Sequence, residues 1–80
     1  MQKILVVDDV ELNREMLCEM LEEDYQIQTA GDGIEALQKL QAGYREIDAL
    51  LLDLQMPRVN GYAVIAQMKQ NGWMRRIPVL

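Results

Sequence analysis

Asp8, Asp9 and Asp53 are the residues of this chain whose types and spacing could do chemistry. Asp8-Asp9 closes the apolar run Ile4-Leu5-Val6-Val7, and Asp53 closes the run Ala49-Leu50-Leu51-Leu52. Short apolar runs bounded by polar residues predict strands covered on both faces of a parallel sheet. Parallel strands point their carboxyl ends the same way. If these two strands are neighbours, about 4.8 Å apart, three carboxylates meet at one sheet edge. Like charges that close resist ionising together unless a cation holds them. The pattern therefore points to a Mg2+ (magnesium) site in which one carboxylate can act as a nucleophile.

The elements that must position these residues alternate along the chain. A strand over 3–7 is followed by a helix over 11–23, with Leu12, Met16, Leu17, Met20 and Leu21 as its apolar residues. These cover an arc of about 180°, wider than a simple surface helix needs. A second strand spans 26–30. Gly31-Asp32-Gly33 reads as a turn, with Asp32 as the cap of a second helix over 34–41. Ile34, Leu37 and Leu40 share one side of that helix, and Gly43 stands where a glycine cap belongs. A third strand spans 49–53, and a loop over 54–60 carries Met56-Pro57. A third helix over 61–70 points Val64, Ile65 and Met68 inward and stops at Asn71-Gly72. Ile77-Pro78-Val79-Leu80 begins a fourth strand. The order β-α-β-α-β-α-β predicts an α/β fold, a doubly wound parallel sheet with right-handed crossovers.

Length bounds the chain to a single domain, residues 1–80, and a chain this short buries only roughly 60% of its surface. Net charge is −5, from 13 acidic and 8 basic residues, which leaves no basic footprint for nucleic acid in this segment. No apolar run approaches the roughly 18 residues of a membrane span, and the start of the chain carries no signal-peptide pattern. The single cysteine, Cys18, cannot form an internal disulfide and fits a reducing cytoplasm. There is no histidine, so histidine catalysis and histidine metal sites are excluded.

Taken together, the strand-terminal Asp8-Asp9, the strand-terminal Asp53, the run Asp53-Leu54-Gln55-Met56-Pro57, Gly61 and Ile77-Pro78-Val79-Leu80 resemble the receiver domain of two-component response regulators. The resemblance covers the whole chain. It implies a flavodoxin-like receiver sheet, order 2-1-3-4-5 in full, in which the first and third strands are adjacent. It implies that Asp53 is the phospho-acceptor of a phosphorelay, attacking a phosphohistidine on a histidine kinase or histidine phosphotransfer protein. It implies that Asp8, Asp9 and Asp53 hold Mg2+ with the backbone carbonyl of Gln55 as a further ligand. In this family the second acid of the pair usually binds directly and the first often through water. Gln55 would also line the pocket, and Asn13 would face it from the first helix. Such a domain is not an enzyme in the turnover sense, although it catalyses its own phosphorylation and dephosphorylation.

The chain departs from the family at its end. The family's switch hydroxyl, its phosphate-binding lysine and its aromatic switch residue would all fall after Leu80. The expectation is a receiver truncated after the fourth strand, order 2-1-3-4, lacking the fifth strand and last two helices. Losing charge-assisted contacts of that kind costs about 3–4 kcal/mol per donor, so switching would be impaired. An unpaired strand edge and a surplus apolar arc on the first helix would favour a homodimer or an element-swapped oligomer. The rival classes are a non-switching interaction or self-assembly module and a Mg2+-dependent phosphohydrolase. Haloacid-dehalogenase-like phosphatases place a second Asp where this chain has Gln55, which argues against the last.

Plainer readings are assigned to the remaining residues. Met16, Met20 and Met68 read as core. Glu11, Glu15, Glu19, Glu22 and Glu23 read as a solvated helix face, Arg75-Arg76 as a solvated pair, Cys18 as a spectator thiol and Trp73 as a loop anchor.

Overall fold

A computed structural model of the chain describes residues 1–53 and 61–80. Among the described residues three parallel strands form the sheet: β1 (Lys3–Val7), β2 (Gln26–Ala30) and β3 (Ala49–Leu52), in the order β2-β1-β3. Between and after them come α1 (Glu11–Leu21), α2 (Gly33–Gly43) and α3 (Gly61–Gln70). Single 3-10 turns at Tyr44–Glu46 and Trp73–Arg75 lead into β3 and into the last residues. The bounds expected for these three strands agree to within one residue. Helix ends differ more: α1 stops at Leu21 rather than 23, and α2 runs from 33 to 43 rather than from 34 to 41.

β1 is central because its β-branched apolar run can be covered on both faces. Ile4, Leu5, Val6 and Val7 are all buried. Its register sets Ile4 against Ala49 and Val7 against both Leu52 and Ala30. Asp48 pins the amino edge of that register: its backbone N–H donates to the Lys3 carbonyl at 2.8 Å, and its carboxylate accepts from the Lys3 N–H at 2.8 Å. Leu5, Val7 and Leu50 then join Ala36 and Leu40 of α2 with Val64 and Met68 of α3 in one core, as period-two alternation requires. β2 alternates exposed and partly buried residues, as a strand at the edge of this sheet should.

The fourth strand is a correction. Residues 78–80 pair with β3 through an isolated parallel bridge, Leu50 to Val79, and are not a full strand. Leu50 N–H donates to the Pro78 carbonyl at 3.0 Å, Leu80 N–H to the Leu50 carbonyl at 2.8 Å, and Leu52 N–H to the Leu80 carbonyl at 3.2 Å. Pro78 has no N–H, so the rung before this bridge cannot form. The segment still lies beside β3, where the expected order put it.

Two cap expectations divided. Asp32 accepts from the Glu35 N–H at 2.8 Å, and the Glu35 carboxylate accepts from the Gly31 N–H at 3.2 Å, a reciprocal lock at the start of α2. The Lys39 ammonium also ties α2 to β2 by donating to the Thr29 carbonyl. Gly43 is no left-handed cap, because the chain continues from it directly into the 3-10 turn at Tyr44. Gly72, at φ 75°, is the left-handed residue that ends α3. Trp73 is an anchor as expected: it is buried and stacks on Tyr44, ring centroids 5.6 Å apart.

Helix α1 departs most from its reading. None of its residues is fully buried, and Leu12, Met16 and Met20 are 62%, 51% and 72% exposed. Met16 and Met20 are therefore not core, whereas Met68 is. The helix packs on β1 and β2 with Leu17 and Leu21 half-buried. Nothing among the described residues covers the far half of its apolar arc. Ile34 of α2 is likewise exposed, its place in the core being taken by Ala36.

Candidate functional site

The ladder that orders the sheet also delivers the carboxylates. Asp8 N–H donates to the Ala30 carbonyl at 3.1 Å, and Asp53 N–H donates to the Val7 carbonyl at 2.9 Å. Both aspartates thus leave the sheet at its carboxyl edge with their backbones pinned to neighbouring strands. Asp8, Asp9 and Asp53 each bring one carboxylate oxygen to within 4.8 Å of the others. Asp8 and Asp53 are half-buried and Asp9 is exposed. Asp8 and Asp53 border an open cleft of about 450 Å³, lined also by Asn13, Leu17, Leu52 and Leu80.

The start of α1 organises Asp8. Val10, the residue before the helix, carries no capping side chain, and its own N–H donates to Asp8 Oδ1 at 2.9 Å. The Asn13 carboxamide donates to Asp8 Oδ2 at 3.3 Å. Arg14 Nη1 donates to the Asp8 carbonyl at 2.6 Å. The Arg14 guanidinium also lies over Gly31, where an added Cβ would come within 3.3 Å of it. One arginine therefore bridges the loops that follow β1 and β2.

The three acids expected to converge do so, and Asn13 faces them as expected. Gln55, expected to offer its carbonyl, lies outside the described residues, as do Met56 and Pro57. Arg14 was missed by sequence reasoning. Its only signal was its place one turn after Val10, on the helix end that faces Asp8.

The donor set fits a small hard cation. Octahedral Mg2+ holds oxygens at about 2.1 Å, so ligands on opposite sides lie about 4.2 Å apart. Adjacent ligands lie about 3.0 Å apart, and of three ligands at most one pair is opposite, so three oxygens within 4.8 Å of one another would draw together around the ion. All three are carboxylates, the ligand type this ion prefers, and the open cleft leaves room for the waters it retains.

A family model described as the response regulator receiver domain matches residues 4–80. The chain belongs to this receiver family. Among curated relatives, this receiver domain is 39% identical over 82 residues to the transcriptional regulatory protein CpxR homolog of Haemophilus influenzae, covering all of this chain and 33% of that protein. It is 41% identical over 70 residues to the sensor histidine kinase RcsC of Escherichia coli, covering 86% of this chain and 7% of that one. The chain thus spans a third or less of these relatives. Among solved structures it is similar to the response regulator TrrA of Thermotoga maritima in complex with Mg(2+)-BeF. That match has a TM-score of 0.87 and 39% identity, and covers 99% of this chain and 66% of that one. It is similar too to TrrA in complex with the histidine kinase ThkA, with a TM-score of 0.84, 40% identity, and 99% and 67% covered. The receiver fold with its parallel sheet, and membership of the two-component signalling class, stand on these matches together with the acidic site. Among the described residues no helix is long and apolar enough to cross a membrane.

Proposed function

We propose that this receiver domain accepts a phosphoryl group on Asp53, in a Mg2+-dependent reaction, from a phosphohistidine on a histidine kinase or histidine phosphotransfer protein. The observation that carries this reading is the convergence of three carboxylate oxygens within 4.8 Å at the carboxyl edge of β1 and β3. A bound Mg2+ would neutralise the oxygens of the transferring phosphoryl group. Asp8 and Asp9 would hold it with Asp53, and the carbonyl of Gln55 is the further ligand proposed. An Asp53 carboxylate oxygen attacks phosphorus, the phosphorus–nitrogen bond breaks, and the electron pair returns to the donor imidazole. The half-buried position of Asp53 limits water at the acceptor while the cleft leaves it open to a partner. The phosphoryl group stays on the chain until hydrolysed, so the domain is a signalling acceptor and not a turnover enzyme.

Two similarities support the reading: TrrA was crystallised with Mg(2+)-BeF, and also in complex with the histidine kinase ThkA. The proposed unit is a single domain over residues 1–80, working in the cytoplasm, to which the lone Cys18 is suited. Intact mass spectrometry after incubation with an acyl phosphate tests it. One phosphoryl group should be gained with Mg2+, not with chelator, and not by Asp53→Asn. A gain that survives Asp53→Asn would sink the assignment.

A second reading, self-association into a homodimer or an element-swapped oligomer, is favoured by the exposed Leu12, Met16 and Met20 of α1. Sedimentation velocity decides it: a monomeric mass at micromolar concentration counts against it.

A further inference from the structure

We infer that Asn13 is a positioning residue for the metal-holding carboxylate of Asp8, an inference that rests on the Mg2+ reading above. Asp8 accepts at both carboxylate oxygens: from the Val10 N–H at Oδ1, 2.9 Å, and from the Asn13 carboxamide at Oδ2, 3.3 Å. One donor would leave the carboxylate free to rock about its last torsion, which has a broad, nearly two-fold profile in Asp. The second donor removes that freedom. Arg14, the next residue, holds the Asp8 carbonyl at 2.6 Å, so the backbone of the same residue is fixed as well. Val10 and the first turn of α1 therefore grip Asp8 at three points.

Among the described residues Asn13 makes no other side-chain hydrogen bond. It is exposed, contributes nothing to the buried core, and borders the cleft shared by Asp8 and Asp53. Asparagine is a poor residue for a helix, and there it is best explained by a side-chain bond. Each oxygen of Asp8 keeps a second lone pair with which it can hold a cation. Holding a ligand in place beforehand removes an ordering cost from metal binding. Loss of such an outer partner lowers metal affinity by about 10- to 100-fold, and an exposed bond of this length belongs at the low end.

The test is Mg2+ titration by calorimetry on the chain as it stands, with melting temperatures in chelator alongside. Asn13→Ala should weaken Mg2+ binding about tenfold, with a melting temperature unchanged within error. Asn13→Gln, which keeps the amide donor, should recover part of the affinity. Leu12→Ala, one residue earlier and pointing into solvent, should bind as the parent does. In the background of Asp8→Asn the Asn13→Ala change should have no further effect, because the group it positions is gone. Equal affinity for parent and Asn13→Ala would overturn the positioning role while leaving the metal site intact. A parent chain that binds no Mg2+ would overturn the metal reading itself, and this inference with it.

Discussion

Removing one charge from the acidic cluster should stabilise the metal-free protein. Asp53→Asn keeps the shape of the side chain and deletes its repulsion with Asp8 and Asp9, whose oxygens lie within 4.8 Å. At that separation two unit charges repel by about 0.9 kcal/mol at the dielectric of water, and by more where burial lowers it. Physiological salt, with a Debye length of about 8 Å, roughly halves the figure. Two such pairs give about 1 kcal/mol, rising towards about 2 kcal/mol because Asp8 and Asp53 are half-buried. In a domain of this size about 1 kcal/mol moves the melting temperature by roughly 4–8 °C. Circular-dichroism melts in chelator should therefore place Asp53→Asn several degrees above the parent. Saturating Mg2+ should reverse the advantage. A ligand at a hundred times its Kd adds about 2.7 kcal/mol to the state that binds it, and the variant has lost a ligand. A variant that melts at or below the parent in chelator would refute the electrostatic argument. An unchanged Mg2+ response would refute the place of Asp53 in the site.

Two further expectations concern the scaffold. Leu50→Ala, at a fully buried position in β3, should cost about 2–5 kcal/mol in urea unfolding, against about 0.5 kcal/mol or less for Leu12→Ala on the open side of α1; equal losses would refute the assignment of core and surface. Tyr44 should ionise below the ordinary tyrosine range, first because Arg45 Nε donates to its hydroxyl at 3.3 Å and then because the same guanidinium attracts the phenolate. The lowered value favours the folded state only at alkaline pH, and that contribution is lost as pH falls through the folded value. Phenolate absorbance should titrate higher in Arg45→Gln, and an unmoved midpoint would remove Arg45 as the cause.

The strands were legible because their signal is local. A run such as Ile4-Leu5-Val6-Val7 closed by acids announces both the element and the edge at which it stops. Asp32 was legible as a cap because its bond to the Glu35 N–H spans only three residues. Gly43 misled because glycine permits a left-handed cap without requiring one, and the chain used Gly72 for that purpose instead. Met16 and Met20 misled because a helical wheel gives the width of an apolar arc but not how much of it finds a neighbour. The fourth strand shrank to a bridge because Pro78 lacks the N–H of one rung, a limit that composition alone states but that the hydrogen bonds make plain.

By itself the sequence determined the order of the three strands and three helices, the strand-terminal placement of Asp8, Asp9 and Asp53, and the family those residues mark. Each of these depends on residue type and short spacing, which tertiary contacts do not alter. Tertiary structure decided what the spacing left open. It set β1 between β2 and β3, so residues 45 positions apart in the chain share one edge. It turned Asn13 and Arg14 onto Asp8, and it left the Leu12, Met16 and Met20 stripe uncovered. The reason is physical: a local pattern fixes which face of an element is apolar or charged, but only packing chooses the neighbour that face will meet.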